Sequence, residues 1–269
     1  MYRSEKMPDL YQGAFTGGII IVQMVLSGLV IIVGNYGSGK TEVAVNLAIH
    51  QHQMGTGVRI ADLDLVNPYF RTREARKTLT AMGIDVIVPP ESLMQADLPI
   101  LVPEVAGALK SPGELTIIDV GGDDVGAIVL SSLANIFLDN PEPTVLLQVV
   151  NPFRPSTESV EGCMKMRRAI EMRARMSVDK WVGNAHLLEE TTIEHVYQGD
   201  AFMTSLSETG DLTVEFITAP YHLLDQLDSA RLNWPVLPIH RQLVPPWKKA
   251  ENLPGIETGL RPEMKPDMK

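Results

Sequence analysis

Along the chain, short apolar runs alternate with stretches in which apolar residues recur every three or four positions. Residues 29–33, Leu-Val-Ile-Ile-Val, form a continuous apolar run, the mark of a strand buried on both faces. Residues 40–53 carry Val43, Leu47 and Ala48 on one helical face, and Gly55 is a fitting stop. A second strand at 58–61 runs into Asp62-Leu63-Asp64, and a short one at 86–88 meets Pro89-Pro90. Residues 101–110 read as a helix, broken by Ser111-Pro112-Gly113. A strand follows at 115–120, a helix at 125–137, the Asn140-Pro141-Glu142-Pro143 turn, and a strand at 145–150. Beyond Asn151-Pro152-Phe153-Arg154-Pro155 the pattern predicts a helix over 156–176 and a strand at 180–182 ending at Gly183-Asn184. Thr191-x-x-Glu194 has the form of a capping box for the next helix, and strands at 212–218 and 236–239 complete the series. Alternating strands and helices predict an α/β fold: a doubly wound, mostly parallel sheet with helices on both faces.

The uncharged stretch 17–34 approaches the length of a membrane span. It contains the strand at 29–33, which cannot serve a soluble sheet while lying in lipid, and Gln23 and Ser27 interrupt it. One domain over 28–247 is therefore expected. Residues 1–27 form an N-terminal extension, for which Met24 is an alternative start. Residues 248–269, with Pro254, Pro262 and Pro266, form a tail that is poorly ordered or draped over the surface.

Composition narrows the function. The 269 residues carry a net charge of −10, so the average surface repels phosphate backbones and anionic lipid, and neither nucleic acid nor membrane is an expected partner. Cys163 is the one cysteine, which excludes an intrachain disulfide and a cysteine-built zinc or iron–sulfur site within one chain; a reducing cytoplasm follows.

The strongest chemical signal is Gly34-Asn35-Tyr36-Gly37-Ser38-Gly39-Lys40-Thr41, a full match to G-x-x-x-x-G-K-[S/T] placed after a strand and before a helix. Backbone N–H groups of such a turn point inward at phosphate oxygens, and the helix N-terminus adds partial positive charge. Lys40 is placed for the β- and γ-phosphates and the Thr41 hydroxyl for Mg²⁺. Asp119 ends the strand at 115–120 beside this loop, where a carboxylate serves the Mg²⁺ shell. Gly121-Gly122 permits close backbone approach to a γ-phosphate. Asp62 and Asp64 end the second strand on the same side. Asp64 is assigned to the attacking water and Asp62 to metal support, with turn formation as the alternative for both.

These residues resemble the MinD/ParA/CobQ-type family of P-loop ATPases, in the SIMIBI class. The loop at 34–41, Asp62-Leu63-Asp64 with Asn67, Asp119-Val120-Gly121-Gly122 and Asn184 carry the likeness, over roughly residues 28 to 245. The resemblance implies Mg²⁺ and ATP as cofactors. It implies further that Asp64 positions the hydrolytic water, Asp119 assists Mg²⁺, Asn184 reads the adenine and a loop resembled by Leu237-Pro238-Ile239-His240 closes over the base. One departure stands out. Many members carry a lysine near the start of the loop that reaches across a dimer, and this chain has Asn35. A homodimer remains compatible, but its lysine-bridged form does not.

Three segments stay open between a chemical and a plain role. Arg154 either contacts substrate, partner or phosphate, or merely lies in a helix-entry loop. Lys165, Arg167, Arg168, Arg173 and Arg175 form either a docking surface for an acidic partner or a solvated face. The segment 67–73 is either a switch that responds to nucleotide or a surface loop. The expected function is an ATP-dependent switch acting on a partner protein. The alternatives are an ATP-dependent ligase or kinase, with Arg154 and His186 as candidate substrate groups, and a nucleotide-binding module without turnover.

Overall fold

In a computed structural model of the chain, the structure describes residues 26–64, 72–88, 103–122, 126, 129–131, 143–244, 250, 251 and 253. These residues build a sheet from β1 (Gly28–Gly34), β2 (Val58–Leu63), β3 (Asp85–Ile87), β4 (Leu115–Val120), β5 (Thr144–Val150), β6 (Lys180–Gly183), β7 (Val214–Pro220) and β8 (Val236–Ile239). Its order is β3-β2-β4-β1-β5-β6-β7-β8, and every neighbouring pair is parallel. The expected mostly parallel sheet is thus wholly parallel among the described residues.

Strand side chains alternate between the two faces. From β1, Val30 and Ile32 join a cluster with Val43 and Leu47 of α1 (Lys40–Gln53), and Leu29, Ile31 and Val33 join another with Leu109 of α3 (Pro103–Lys110) and Ala174 of α4 (Val160–Ala174). α2 (Arg76–Ala81) contributes Leu79 to the first cluster. A third cluster joins Cys163 and Trp181 to Met203 and Leu206 of α5 (Ile193–Gly210). The sheet is therefore covered on both sides, which is why its strands read as continuous apolar runs. β1 lies between β4 and β5, so the turn at its C-terminal end sits where helices on the two sides diverge, the usual ligand position of such sheets.

Several boundaries differ from the pattern, each for a local reason. β2 extends through Leu63. α4 starts at Val160 rather than 156, because the Ser159 hydroxyl caps it, accepting from Gly162 N at 3.1 Å, and Ser156 has φ 71°. The cap of α5 is Thr192, paired with His195, rather than Thr191. Thr191 is used by the preceding turn: its hydroxyl accepts from Leu187 N at 2.9 Å and donates to Leu188 O at 2.7 Å. β7 begins two residues late, since Asp211 ends α5 in the left-handed region and Leu212 O accepts from Ser207 Oγ. Most of the expected helix at 125–137 lies outside the described residues, as do most of 1–27 and 248–269. Of these ends, Leu26 and Leu253 are buried in the α1 cluster. No helix among the described residues is long and apolar enough to cross a membrane.

Candidate functional site

β1 ends at Gly34, and the chain turns through 35–39 into α1. Gly37 (φ 74°) and Gly39 (φ 82°) take left-handed conformations that favour glycine, and Ser38 N closes the turn on Asn35 O at 3.1 Å. Lys40 and Thr41 open α1 and are buried. The first N–H groups of that helix have no intrahelical acceptor and face the turn. Ser38 Oγ is also buried without a protein partner. Tyr36, at the tip, is 72% exposed.

Two neighbouring loops brace this turn. Asn184, after β6, donates through Nδ2 to Ser38 O (2.7 Å) and accepts from the Thr218 hydroxyl at Oδ1 (2.6 Å). Asn35 donates to Pro155 O at 3.0 Å and accepts from Tyr36 N at 2.8 Å, so it ties the turn to the segment after β5.

On the other side stand the ends of β2 and β4, where Asp62 and Asp119 are in register. Asp62, Asp64 and Asp119 are all buried. Asp62 Oδ1 accepts from Asp64 N at 3.0 Å, an Asx-type turn that fixes both carboxylates. Asp119 Oδ2 accepts from the Thr72 hydroxyl at 2.9 Å, and its Oδ1 has no protein partner. Burial pushes the Asp119 carboxyl up to about 7, and the nearby Asp62 adds to this. Lys40 and hydrogen bonds from Thr72 and Thr41 act in the opposite direction. Gly122 fits against the turn so closely that a Cβ there would stand 2.7 Å from Lys40 Nζ and 3.0 Å from both Gly34 O and Tyr36 N.

Beside the turn lies a cavity of about 440 Å³, lined by Gly37, Gly39, Lys40 and Thr41 on one side and by Asn184, His186, Ile239, Arg241 and Leu243 among others. Its far wall, 240–243, is attached to α1. Glu42 accepts from Gln242 N (2.8 Å) and Leu243 N (3.1 Å), and Asn46 accepts from His240 N (2.8 Å) and donates to Glu42 Oε1 (3.0 Å). Burial lifts Glu42 to about 7 against these hydrogen bonds. Glu251, itself bordering the cavity, secures this wall, exchanging backbone and side-chain bonds with Arg241 and Gln242. His186 is held neutral: burial, then the charges of Arg154 and Arg241, push it down to about 4.

The structure thus brings together the expected Gly34, Asn35, Tyr36, Gly37, Ser38, Gly39, Lys40 and Thr41 with Asp62, Asp64, Asp119 and Gly122. Asn184 borders the cavity with its amide engaged by Ser38 and Thr218. Pro238 is buried in β8 opposite Ala219, and it is the next residue, Ile239, that lines the cavity. Of the expected switch segment at 67–73, residues 67–71 lie outside the described residues, and Thr72 reaches Asp119. Glu42, Asn46, Thr218 and Arg241 were not singled out from sequence. A signal existed for the first two: Glu42, Asn46 and His50 recur at i, i+4, i+8, and every residue between them is apolar. Among the described residues, no group of three or more His, Cys, Asp or Glu side chains is placed to hold a metal ion unaided.

No protein-family model matches the chain, and no curated protein is similar to it in sequence. Solved structures are similar in fold. FtsY from Mycoplasma mycoides matches with TM-score 0.51 and 14% identity, over 79% of this chain and 65% of that one; the chain thus spans less than two thirds of that protein. The cell division protein ftsY of Thermotoga maritima matches with TM-score 0.51 and 20% identity, over 78% and 67%. The signal recognition particle 54 kDa protein of Aeropyrum pernix, solved in complex with GDP, matches with TM-score 0.50 and 17% identity, over 74% and 42%. The chain has the α/β fold of a P-loop NTPase. The identities establish the architecture and leave base, partner and chemistry to the residues of the site.

Proposed function

We propose that this chain is a Mg²⁺- and ATP-dependent P-loop ATPase of the MinD/ParA/CobQ type, acting as a switch on a partner protein. The observation that carries this reading is the convergence at Gly122. The Lys40 ammonium, the phosphate-loop backbone and the end of β4 meet around a position that only glycine fits without displacing a neighbour. In the proposed reading Lys40 and the loop N–H groups hold the β- and γ-phosphates, and Gly122 N–H faces the γ-phosphate.

The donor set suits Mg²⁺. Thr41 supplies a hydroxyl, and Asp119 is a fully buried carboxylate with one oxygen lacking a protein partner. Mg²⁺ takes one or two protein oxygens and draws the rest from phosphate and water. When bound, the ion neutralises charge on the phosphates. Asp62 supports that position, and Asp64, fixed two residues away, orients the attacking water.

The preference for adenine rests on the far wall. Guanine presents adjacent N–H donors that call for a carboxylate acceptor. The carboxylates bordering the cavity are already engaged: Glu42 by Gln242 and Leu243, Glu251 by Arg241, and Glu189 by Arg241 Nη1 at 2.6 Å. GTP is the second reading, favoured by the GDP-bound Aeropyrum structure of like fold.

Titration with fluorescent ATP and GTP analogues, with and without Mg²⁺, tests this. Mg²⁺-dependent ATP binding that Lys40→Ala abolishes, with turnover lost in Asp64→Ala, is the expected result. Tighter GTP binding would replace adenine with guanine, and no nucleotide binding at all would overturn the reading.

A further inference from the structure

Arg154 lies in the segment joining β5 to α4, and its side chain crosses to the phosphate loop. A Cβ on Gly37 would stand 3.6 Å from Arg154 Nε, 3.7 Å from Cδ and 3.9 Å from Cζ, so the guanidinium faces the loop across the width of one methyl group. It borders the same cavity as Lys40 and Thr41. Its Nε is buried without a hydrogen-bond partner. A buried guanidinium nitrogen lacking an acceptor is costly, and an anion is the acceptor that such a group fits. Among the described residues no carboxylate pairs with it. Asn35, on the same side of the loop, is uncharged.

The segment that carries Arg154 is built to stay in place. Asn151 Oδ1 accepts from Phe153 N at 3.0 Å, and Asn151 Nδ2 donates to His186 O at 3.0 Å. The Thr157 hydroxyl donates to Asn151 O at 2.7 Å, Arg154 N donates to Asn151 O at 3.2 Å, and Thr157 N donates to Arg154 O at 3.1 Å. Asn35 adds its bond to Pro155 O. Ser156 holds a left-handed φ of 71° within this turn, a conformation retained only where the surroundings fix it. These bonds fix the backbone from which the Arg154 side chain reaches toward the phosphate loop.

We infer that Arg154 supplies, from the same chain that carries the phosphate loop, a second cation that binds the nucleotide's phosphates opposite Lys40. This rests on the proposed nucleotide site. It assigns that site a complete positive clamp within one chain: Lys40 on the β4 side, Arg154 on the β5 side, and the loop N–H groups between them. A planar guanidinium offers two parallel N–H donors to phosphate oxygens, a geometry that Lys40 cannot provide.

The test uses the full chain. Arg154→Ala, Arg154→Lys and Lys40→Ala are compared with the parent for binding of a non-hydrolysable ATP analogue with Mg²⁺ and for ATP turnover. Melting without nucleotide serves as the fold control, and Arg154→Gln replaces the alanine variant if that variant does not fold. Loss of a charge-assisted contact to phosphate predicts at least about tenfold weaker binding and a larger loss of turnover in Arg154→Ala, with partial recovery in Arg154→Lys. An equimolar mixture of Arg154→Ala and Lys40→Ala chains recovers no activity if the arginine acts within its own chain. Binding and turnover within twofold of the parent in Arg154→Ala overturn the inference, as does recovery on mixing. A parent that binds no nucleotide overturns the functional reading and this inference with it. A parent that binds while Arg154→Ala is unaltered overturns this inference alone.

Discussion

Replacing Gly122 by alanine adds one methyl group where three parts of the site meet. Its Cβ would stand 2.7 Å from Lys40 Nζ, 3.0 Å from Gly34 O and 3.0 Å from Tyr36 N. The ammonium ends a flexible chain and can retreat, which takes it from its position. The other two atoms are backbone of the phosphate loop and must give by a few tenths of an ångström. Small-to-large changes in tight packing cost about 1–3 kcal/mol. The strain falls on the loop rather than on the core, so it is read in ligand affinity, as a rise of about 5- to 150-fold in the Kd for ATP. Calorimetric titration measures the affinity, and a urea titration of the apo protein measures the fold. Gly107→Ala is the matched control, because nothing lies within 4 Å of a Cβ there; on a helix it is neutral or stabilising by up to about 1 kcal/mol. An unchanged Kd in Gly122→Ala, with the fold intact, would refute the close junction of β4 with the loop.

Three further outcomes follow from the same structure. Glu42→Ala removes the acceptor for Gln242 N and Leu243 N; each stranded donor costs about 1–3 kcal/mol, and the slackened wall raises KM for nucleotide about tenfold with kcat within about twofold in steady-state assays. His240 is pushed by burial from 6.5 to about 4, so its neutral form contributes stability that is fully present above pH 6.5 and is lost as pH falls toward 4. That loss amounts to up to about 3 kcal/mol, and His240→Gln should flatten this part of a pH series of denaturant titrations; an unchanged slope counts against it. Leu47→Ala opens a cavity in the α1 cluster, where Leu47 is fully buried, and lowers unfolding free energy by about 2–5 kcal/mol in a urea titration.

The fold was largely readable because a parallel sheet covered on both faces leaves uninterrupted apolar runs, as at residues 29–33. Boundaries slipped where a polar side chain had two uses: Thr191 satisfies a turn, which leaves the cap of α5 to Thr192. The phosphate loop was legible because its chemistry is local and contiguous. The far wall of the cavity was not, since it depends on Glu42 meeting Gln242 and Leu243 across 200 residues, a pairing that no local pattern records. Asn184 was placed at the correct strand end. Its bonds to Ser38 and Thr218 depend on the phosphate loop and on β7 and could be seen only in three dimensions.

The attachment of residues 240–243 to α1 has a mechanical consequence. The turn at one end of the cavity and the wall at the other are both fastened to one stiff rod, the turn through the chain itself and the wall through Glu42 and Asn46. Their spacing is set in advance, as in a caliper with locked jaws. Such a device gauges the length of what it holds, and it does not shut by bringing these two ends together. A change of shape that a ligand drives then falls to the other side of the loop, where Asp119 meets Thr72 and Thr41, and Gly122 meets the backbone of the turn.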